Sequence, residues 1–389
     1  MPALLPDVDP DGLLEFSVVY TDRALNHMSQ KFQGVMRDIS AMLKEVYHAR
    51  SAVVVPGSGT YGMEAVARQF ATGQKVLVIR NGWFSYRWTQ IFDMGGIPSQ
   101  SIVLKARRVA DEHQAAFVPA PIDEVVATIR AERPAVVFAP HVETAAGMIL
   151  PDDYLRAVAQ AVHEVGGLFV LDCIASGAMW VNMADVGVDV LISAPQKGWS
   201  GSPCCALVML SEAARQRIDH TTSTSFAADL RKWLQIMETY ESGAHAYHTT
   251  LPTDALTRVR DAMAETRERG FEKARAQQLA LGEAVRALLA RKGYKSVAAN
   301  GFQAPGVVVS YTDDTGLHTS KTFLGLGLQT AAGVPLQCDE PADFKTFRMG
   351  LFGLDKLANV PRTVAHLEAA LDKIGAAAAA TPKPQPAHA

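Results

Sequence analysis

Two runs decide how this chain folds: Gly166-Gly167-Leu168-Phe169-Val170-Leu171-Asp172 and Val190-Leu191-Ile192-Ser193-Ala194-Pro195-Gln196-Lys197. Each is an apolar segment of strand length that ends on or near an isolated charge. Between Glu164 and Asp185 the sole charged side chain is Asp172, and between Asp189 and Glu212 it is Lys197. From about residue 50 onward, similar β-branched runs alternate with amphipathic stretches, the signature of an α/β fold around a mainly parallel sheet. Strands are expected at Ala52–Val55, Val76–Ile79, Ala135–Ala139, Leu168–Leu171, Val188–Ile192 and Ala206–Leu210, with helices such as 122–133 and 152–165 between them. In such a sheet the carboxyl ends of the strands form the ligand crevice, so Asp172 and Lys197 sit where a site would be.

A carboxylate or an ammonium in apolar surroundings is costly unless it is paired or shifted in pKa. One reading is a structural ion pair. The other is pyridoxal phosphate, a cofactor that takes an isolated lysine as covalent anchor and an isolated carboxylate as partner to its ring nitrogen. A lysine in a low-dielectric pocket loses basicity and can both attach the aldehyde and shuttle a proton. An aspartate beside the pyridine nitrogen keeps it protonated, with an attraction of about 4 kcal/mol at about 4 Å and an effective dielectric near 20.

Gly57-Ser58-Gly59-Thr60-Tyr61-Gly62 lies between the first strand and a helical stretch, 63–70, and converges backbone amides and a helix N-terminus on one point, which suits an anion. A P-loop would need Lys and Ser/Thr after the second glycine, where Met63 and Glu64 stand. A dinucleotide fold would want an acid after the next strand, which instead ends in Arg80-Asn81 and suits at best an NADP 2′-phosphate. A phosphate on Ser58, Gly59 and Thr60 is the better reading, set against a tight helix-packing turn.

The rest of the composition narrows the class. Of 389 residues, 48% are hydrophobic and 20% charged, as in a globular enzyme, and the net charge of −3 gives no global field for nucleic acid or an anionic membrane. The four cysteines, Cys173, Cys204, Cys205 and Cys338, have neither disulfide-framework nor zinc-site spacing, so no metal is expected and a reducing cytoplasm fits. The first sixteen residues carry four acids and no basic residue, unlike a signal or transit peptide. No apolar run reads as a membrane span.

After about residue 253 a long helical run, 254–291, is interrupted by Gly270 and Gly282. Beyond it a strand at 306–311, a short helix near 319–324, a strand at 345–349 and a helix at 360–374 suffice for a smaller α+β domain. The expected organisation is an N-terminal segment 1–20, a large cofactor domain 21–265, a small domain 266–375 and a disordered tail 376–389.

Seven motifs, in order and at sensible spacing over about residues 50 to 355, then resemble the class V pyridoxal phosphate-dependent aminotransferases, most of all their alanine/serine–glyoxylate branch. They are Gly57-Ser58-Gly59-Thr60, Asn81-Gly82-Trp83-Phe84, His141-Val142-Glu143-Thr144, Asp172-Cys173-Ile174-Ala175-Ser176, Gln196-Lys197, Tyr247-His248-Thr249-Thr250-Leu251-Pro252 and Phe347-Arg348-Met349-Gly350. The resemblance implies the type I pyridoxal phosphate transferase fold, an obligate homodimer, and a Lys197 aldimine through which an amino group passes by a ping-pong route to a small 2-oxo acid such as glyoxylate or pyruvate. It also implies Asp172 at the ring nitrogen, Phe84 on the ring face with Trp83 as the alternative, Thr144 on the phenolic oxygen, and Gln196 with Ser58, Gly59 and Thr60 on the phosphate. Tyr247 and Thr250 would reach the neighbouring subunit's phosphate, and Arg348 would clamp the substrate carboxylate, unless it pairs with Asp343 or Asp355.

One departure concerns the amino donor. Members commonly open with a Gly/Pro-rich loop near the substrate, where this chain has Glu15-Phe16-Ser17-Val18-Val19-Tyr20-Thr21-Asp22-Arg23. A rival within the fold is a cysteine desulfurase or related lyase using Cys338, which would need a reactive thiolate on a mobile loop.

Overall fold

The apolar runs become strands because β-branched and aromatic residues fill them and no charge interrupts them. In the computed structural model, which describes residue 9 and residues 11 to 380, seven strands build the central sheet. They are β1 (Ser51–Pro56), β2 (Lys75–Arg80), β3 (Gln100–Lys105), β4 (Val136–Pro140), β5 (Leu168–Asp172), β6 (Val190–Ser193) and β7 (Cys205–Leu210). Their spatial order is β1-β7-β6-β5-β4-β2-β3. Pairings from β6 across to β3 are parallel, while β7 pairs antiparallel with both β1 and β6 and alone runs against the rest. All six strands expected in this part of the chain occur. The seventh, β3, lies at the sheet edge with exposed Gln100 and Ser101, so its polarity hides it from a search for apolar runs.

Helices pack on the sheet through their apolar stripes: α1 (Gln30–Tyr47), α2 (Gly59–Phe70), α3 (Trp83–Gly95), α4 (Ile122–Glu132) and α5 (Asp152–Glu164). Helix α5 starts after Pro151 with Asp152 and Asp153 in its first turn, where acids complement the helix dipole. The run expected at 254–291 is two helices, α6 (Thr253–Arg269) and α7 (Phe271–Arg291), separated at Gly270, whose φ of 95° leaves the helical region. Gly282 does not interrupt α7. It lets the helix approach Pro305, whose Cα would lie 2.6 Å from a Cβ at that position.

The C-terminal part holds a second, antiparallel sheet of β8 (Val307–Tyr311), β9 (Ala331–Ala332) and β10 (Thr346–Gly350), in the order β8-β10-β9. The single helix expected near 319–324 is instead two short ones, Thr315–His318 and Lys321–Gly325, because Ser320 between them adopts φ 63°. The last helix, α8 (Val360–Ala380), continues through the alanines that were expected to begin a disordered tail. Alanine is the strongest helix former, and five in succession extend a helix already nucleated by packing. The rest of that expected tail lies outside the described residues.

Sheet register aligns the functional edge. Asp172, the last residue of β5, stands opposite Pro140 at the end of β4 and Ile192 near the end of β6. The loops that follow β1, β2, β4, β5 and β6 therefore leave the sheet side by side.

Candidate active site

Those loops enclose a cavity of about 340 Å³. Ser58, Gly59, Thr60, Phe84, Thr144, Asp172, Gln196, Lys197 and Arg348, all singled out from the sequence, line it together. Tyr247 and Thr250 do not. They lie on the surface with their hydroxyls 3.2 Å apart, Tyr247 being 53% exposed.

The glycine loop leaves its donors available. Ser58 is the N-cap of α2, yet its side chain makes no capping hydrogen bond, and the first intrahelical bond runs from the Tyr61 amide to the Ser58 carbonyl at 2.9 Å. The amides of Gly59 and Thr60 precede that bond, at the positive end of the helix. Gly59 is required by close approach, since a Cβ there would stand 2.5 Å from Cδ1 of Ile174. The side-chain oxygen of Gln196 is buried without a hydrogen-bond partner among the described residues, and with the amide turned over its NH2 group stands there to donate to an anion.

Asp172 and Lys197 form no ion pair with each other, which removes the structural-pair reading. The Asp172 carboxylate is 8% exposed and accepts one hydrogen bond, from the Ile174 amide at 2.9 Å. Burial pushes its pKa up to about 7, with Glu143 adding to the rise and the Ile174 amide and Arg87 opposing it. Such a carboxyl is stabilised as an anion by a cation placed beside it. The Lys197 ammonium lies 5.0 Å from the Phe352 ring centroid, and its pKa is lowered by burial and by the charge of Arg348. Its loop is held against the Asp172 loop by contact between glycines: a Cβ at Gly198 would stand 2.2 Å from the Gly177 carbonyl oxygen.

Phe84, not Trp83, faces the cavity, and Trp83 instead packs on Tyr86 with centroids 5.5 Å apart. The ring is fixed by Glu143, a fully buried carboxylate that accepts from the amides of Phe84 (3.2 Å), Ser85 (2.9 Å) and Ala145 (2.9 Å) and from the Ser85 hydroxyl (2.7 Å). Helix α3 begins after Gly82, which has no side chain to cap it, so an anion from another loop satisfies its first donors. His141, from the same loop, is held neutral: burial lowers its pKa to about 4, and Nδ1 lies 2.7 Å from the Ser176 hydroxyl.

Arg348 sits on β10 and donates from Nε to the Ala332 carbonyl at 2.7 Å, while its guanidinium lies 5.5 Å from the Phe84 centroid. It pairs with neither Asp343 nor Asp355. Asp343 instead lies 3.3 Å from His113. Arg87 and Phe352 on the cavity wall lie outside the seven motifs, while Ile174 and Glu143 lie inside them with no role that the sequence assigns. The spacing of Arg87, one turn after Phe84 on α3, is the signal that could have found it.

Two rival readings lose their residues. Cys338 is 4% exposed, its thiol donates to the Arg80 carbonyl at 3.4 Å, and burial pushes its pKa up to about 12, so it is no thiolate on a mobile loop. Nor does it line the cavity. Arg80, the remaining support for an NADP phosphate, is engaged with the Thr89 hydroxyl and the Gln337 carbonyl and lies over the Tyr86 ring. The departure at residues 15 to 23 also lies away from the chain's own cavity: the Tyr20 hydroxyl donates to the Leu251 carbonyl at 3.1 Å, beside the Tyr247 loop.

Comparison with solved structures settles the architecture. Ureidoglycine–glyoxylate aminotransferase from Bacillus subtilis superposes with a TM-score of 0.75 over 95% of this chain and 90% of that one, at 21% identity. The fold is that of the type I pyridoxal phosphate transferases. Among curated proteins, alanine–glyoxylate aminotransferase 1 of Saccharomyces cerevisiae is 28% identical over 269 residues, 64% of this chain and 66% of the yeast protein. The chain thus spans just under two thirds of that relative's length. The 2-aminoethylphosphonate–pyruvate transaminase of Burkholderia ambifaria is 27% identical over 332 residues, 84% of this chain and 83% of the relative. In sequence the chain is thus similar to named aminotransferases, the likeness that the seven motifs also carry. No protein-family model matches it. Among the described residues of this type I chain, no helix is long and apolar enough to cross a membrane.

Proposed function

We propose that the chain is a pyridoxal phosphate-dependent aminotransferase moving an amino group from an amino acid or related amine to a small 2-oxo acid, glyoxylate or pyruvate, by a ping-pong sequence. The observation that carries this is the pair Lys197 and Asp172, both lining one cavity and unpaired with each other. Bound there, the cofactor supplies an aldehyde that captures amines and a ring that accepts the electrons released when the α-proton leaves.

The residues divide the remaining work. Lys197, its basicity lowered by burial, anchors the cofactor and afterwards takes and returns the substrate proton as a neutral amine. Asp172 holds a proton on the ring nitrogen. Phe84 lies against the ring, Thr144 donates to its phenolic oxygen, and Ser58, Gly59, Thr60 and Gln196 hold the phosphate. Arg348, with Nε committed to Ala332, presents the rest of its fork to a carboxylate. The exposed Tyr247 and Thr250 serve the phosphate of a second copy, making the protein a homodimer. Its four free thiols suit a reducing cytoplasm.

The test is a half-reaction screen. Purified protein loaded with pyridoxal phosphate is mixed with a panel of amines, and the visible absorbance of the bound cofactor is followed. Bleaching by an amino acid and recovery with glyoxylate or pyruvate are expected, and the Lys197→Ala variant should show neither. A wild-type protein that fails to develop visible absorbance with the cofactor overturns the reading.

A further inference from the structure

Charge bookkeeping exposes a gap in the phosphate cup. A phosphate monoester carries a charge of about −1.5 to −2 at neutral pH, yet every group so far assigned to it is neutral: Ser58, Gly59, Thr60 and Gln196, with Tyr247 and Thr250 from a second copy. The helix N-terminus contributes only about half a positive charge. Of the cations on the cavity wall, Lys197 is the covalent anchor and Arg348 has its own carboxylate to bind.

Arg87 is the third. It lines the same cavity, and its Nη1 donates to the Thr60 hydroxyl at 3.0 Å. Its guanidinium lies 5.1 Å from the Phe84 centroid, so the side chain is held between the glycine loop and the stacking ring. It is half-buried and makes no ion pair among the described residues. A guanidinium fixed at this place, touching the cup and without an ion-pair partner among the described residues, is built for an anionic ligand.

We propose that Arg87 is the cation of the phosphate cup, binding the cofactor's phosphate beside Thr60. This rests on the pyridoxal phosphate reading above and deepens it. Arg87 also lowers the pKa of Asp172 through its charge, which offers a second way of affecting the cofactor, and the experiment separates the two.

Cofactor-free protein is titrated with pyridoxal phosphate and, separately, with pyridoxal, which has the same ring and aldehyde but no phosphate. Arg87→Met should weaken pyridoxal phosphate about ten- to a hundred-fold, the scale of a hydrogen bond to a charged group, and leave pyridoxal within about twofold. Arg87→Lys, which keeps the charge, should recover part of the loss. Equal weakening of both compounds would mean that Arg87 acts through Asp172 or Phe84, and no weakening would mean that it acts on neither. Either result overturns the proposal.

A second measurement needs no variant. In wild-type cofactor-free protein, inorganic phosphate should shield Arg87 from phenylglyoxal, as mapped by peptide mass, whereas chloride at the same ionic strength should not. Modification at the same rate in both salts also overturns the proposal. Failure of wild-type protein to capture either aldehyde would instead remove the aminotransferase reading itself.

Discussion

The Glu143 carboxylate accepts from the Phe84 amide at 3.2 Å, so an anion following β4 sets the position of a ring that follows β2. Three further donors, the Ser85 amide, the Ser85 hydroxyl and the Ala145 amide, meet the same two oxygens. Glu143→Gln replaces one acceptor oxygen with an amide that faces N–H groups, stranding buried donors. It should cost about 2–4 kcal/mol of stability, in line with the loss of one or two hydrogen bonds to a charged group. Cofactor retention should also fall as Phe84 loosens. Denaturant unfolding of cofactor-free protein measures the first effect, and an unchanged midpoint would show that Glu143 is dispensable to the loop.

Asp172 makes the cofactor-free protein sensitive to pH. Its folded pKa, pushed up to about 7, lies above the ordinary carboxyl value of 3.8. Between those two values the folded state holds a proton that the unfolded chain has released. The stability contribution of this group therefore falls as pH rises from about 4 to about 7 and is level outside that window. Asp172→Asn cannot ionise and should remove that part of the slope. Thermal unfolding of both proteins across this range checks it, and parallel profiles would show that Asp172 is already ionised in the folded state.

Much of the site was legible because its physics is local to the chain. Asp172 and Lys197 announce themselves as lone charges beside strand-like runs, and the glycine loop as a helix start with spare amides. Glu143 was not legible as a functional group, because its meaning lies in donors on α3, far away in sequence. Arg87 reads as one more cation in an aromatic helix until the fold turns it toward Thr60. Cys338 sits in a Gly/Pro-punctuated segment that suggests mobility, yet packing buries it against the Arg80 carbonyl. The edge strand β3 escaped for the opposite reason, since a strand half in water need not be apolar.

Tyr247 and Thr250 give the clearest test of a shared site, since neither lines the cavity of its own chain. The double variant Tyr247→Phe, Thr250→Ala should release cofactor faster while keeping its melting temperature when cofactor-free, both hydroxyls being on exposed residues. Hybrid dimers of this variant with Lys197→Ala would collect both defects in one site and leave the other intact. Recovered activity on mixing is expected. Mixtures no more active than their parents would mean that the pair serves no neighbouring site.

In the proposed function, Arg348 discriminates substrates by shape as well as charge. Its Nε is spent on the Ala332 carbonyl at 2.7 Å and it pairs with no acid among the described residues, so the remaining nitrogens present a planar fork near Phe84. Lysine would retain the charge at that place but could neither keep the Ala332 contact nor grip a carboxylate with two parallel bonds. Arg348→Lys should therefore cost about 1.5–3 kcal/mol of binding for every carboxylate-bearing substrate. Both half-reactions should suffer if, as proposed, amino donor and 2-oxo acid take turns at the same clamp. Amines without a carboxylate should be nearly indifferent. Steady-state constants for an amino acid, a 2-oxo acid and a simple amine decide the matter: if all three are unchanged, the carboxylate binds elsewhere and Arg348 serves only to hold β9 against β10.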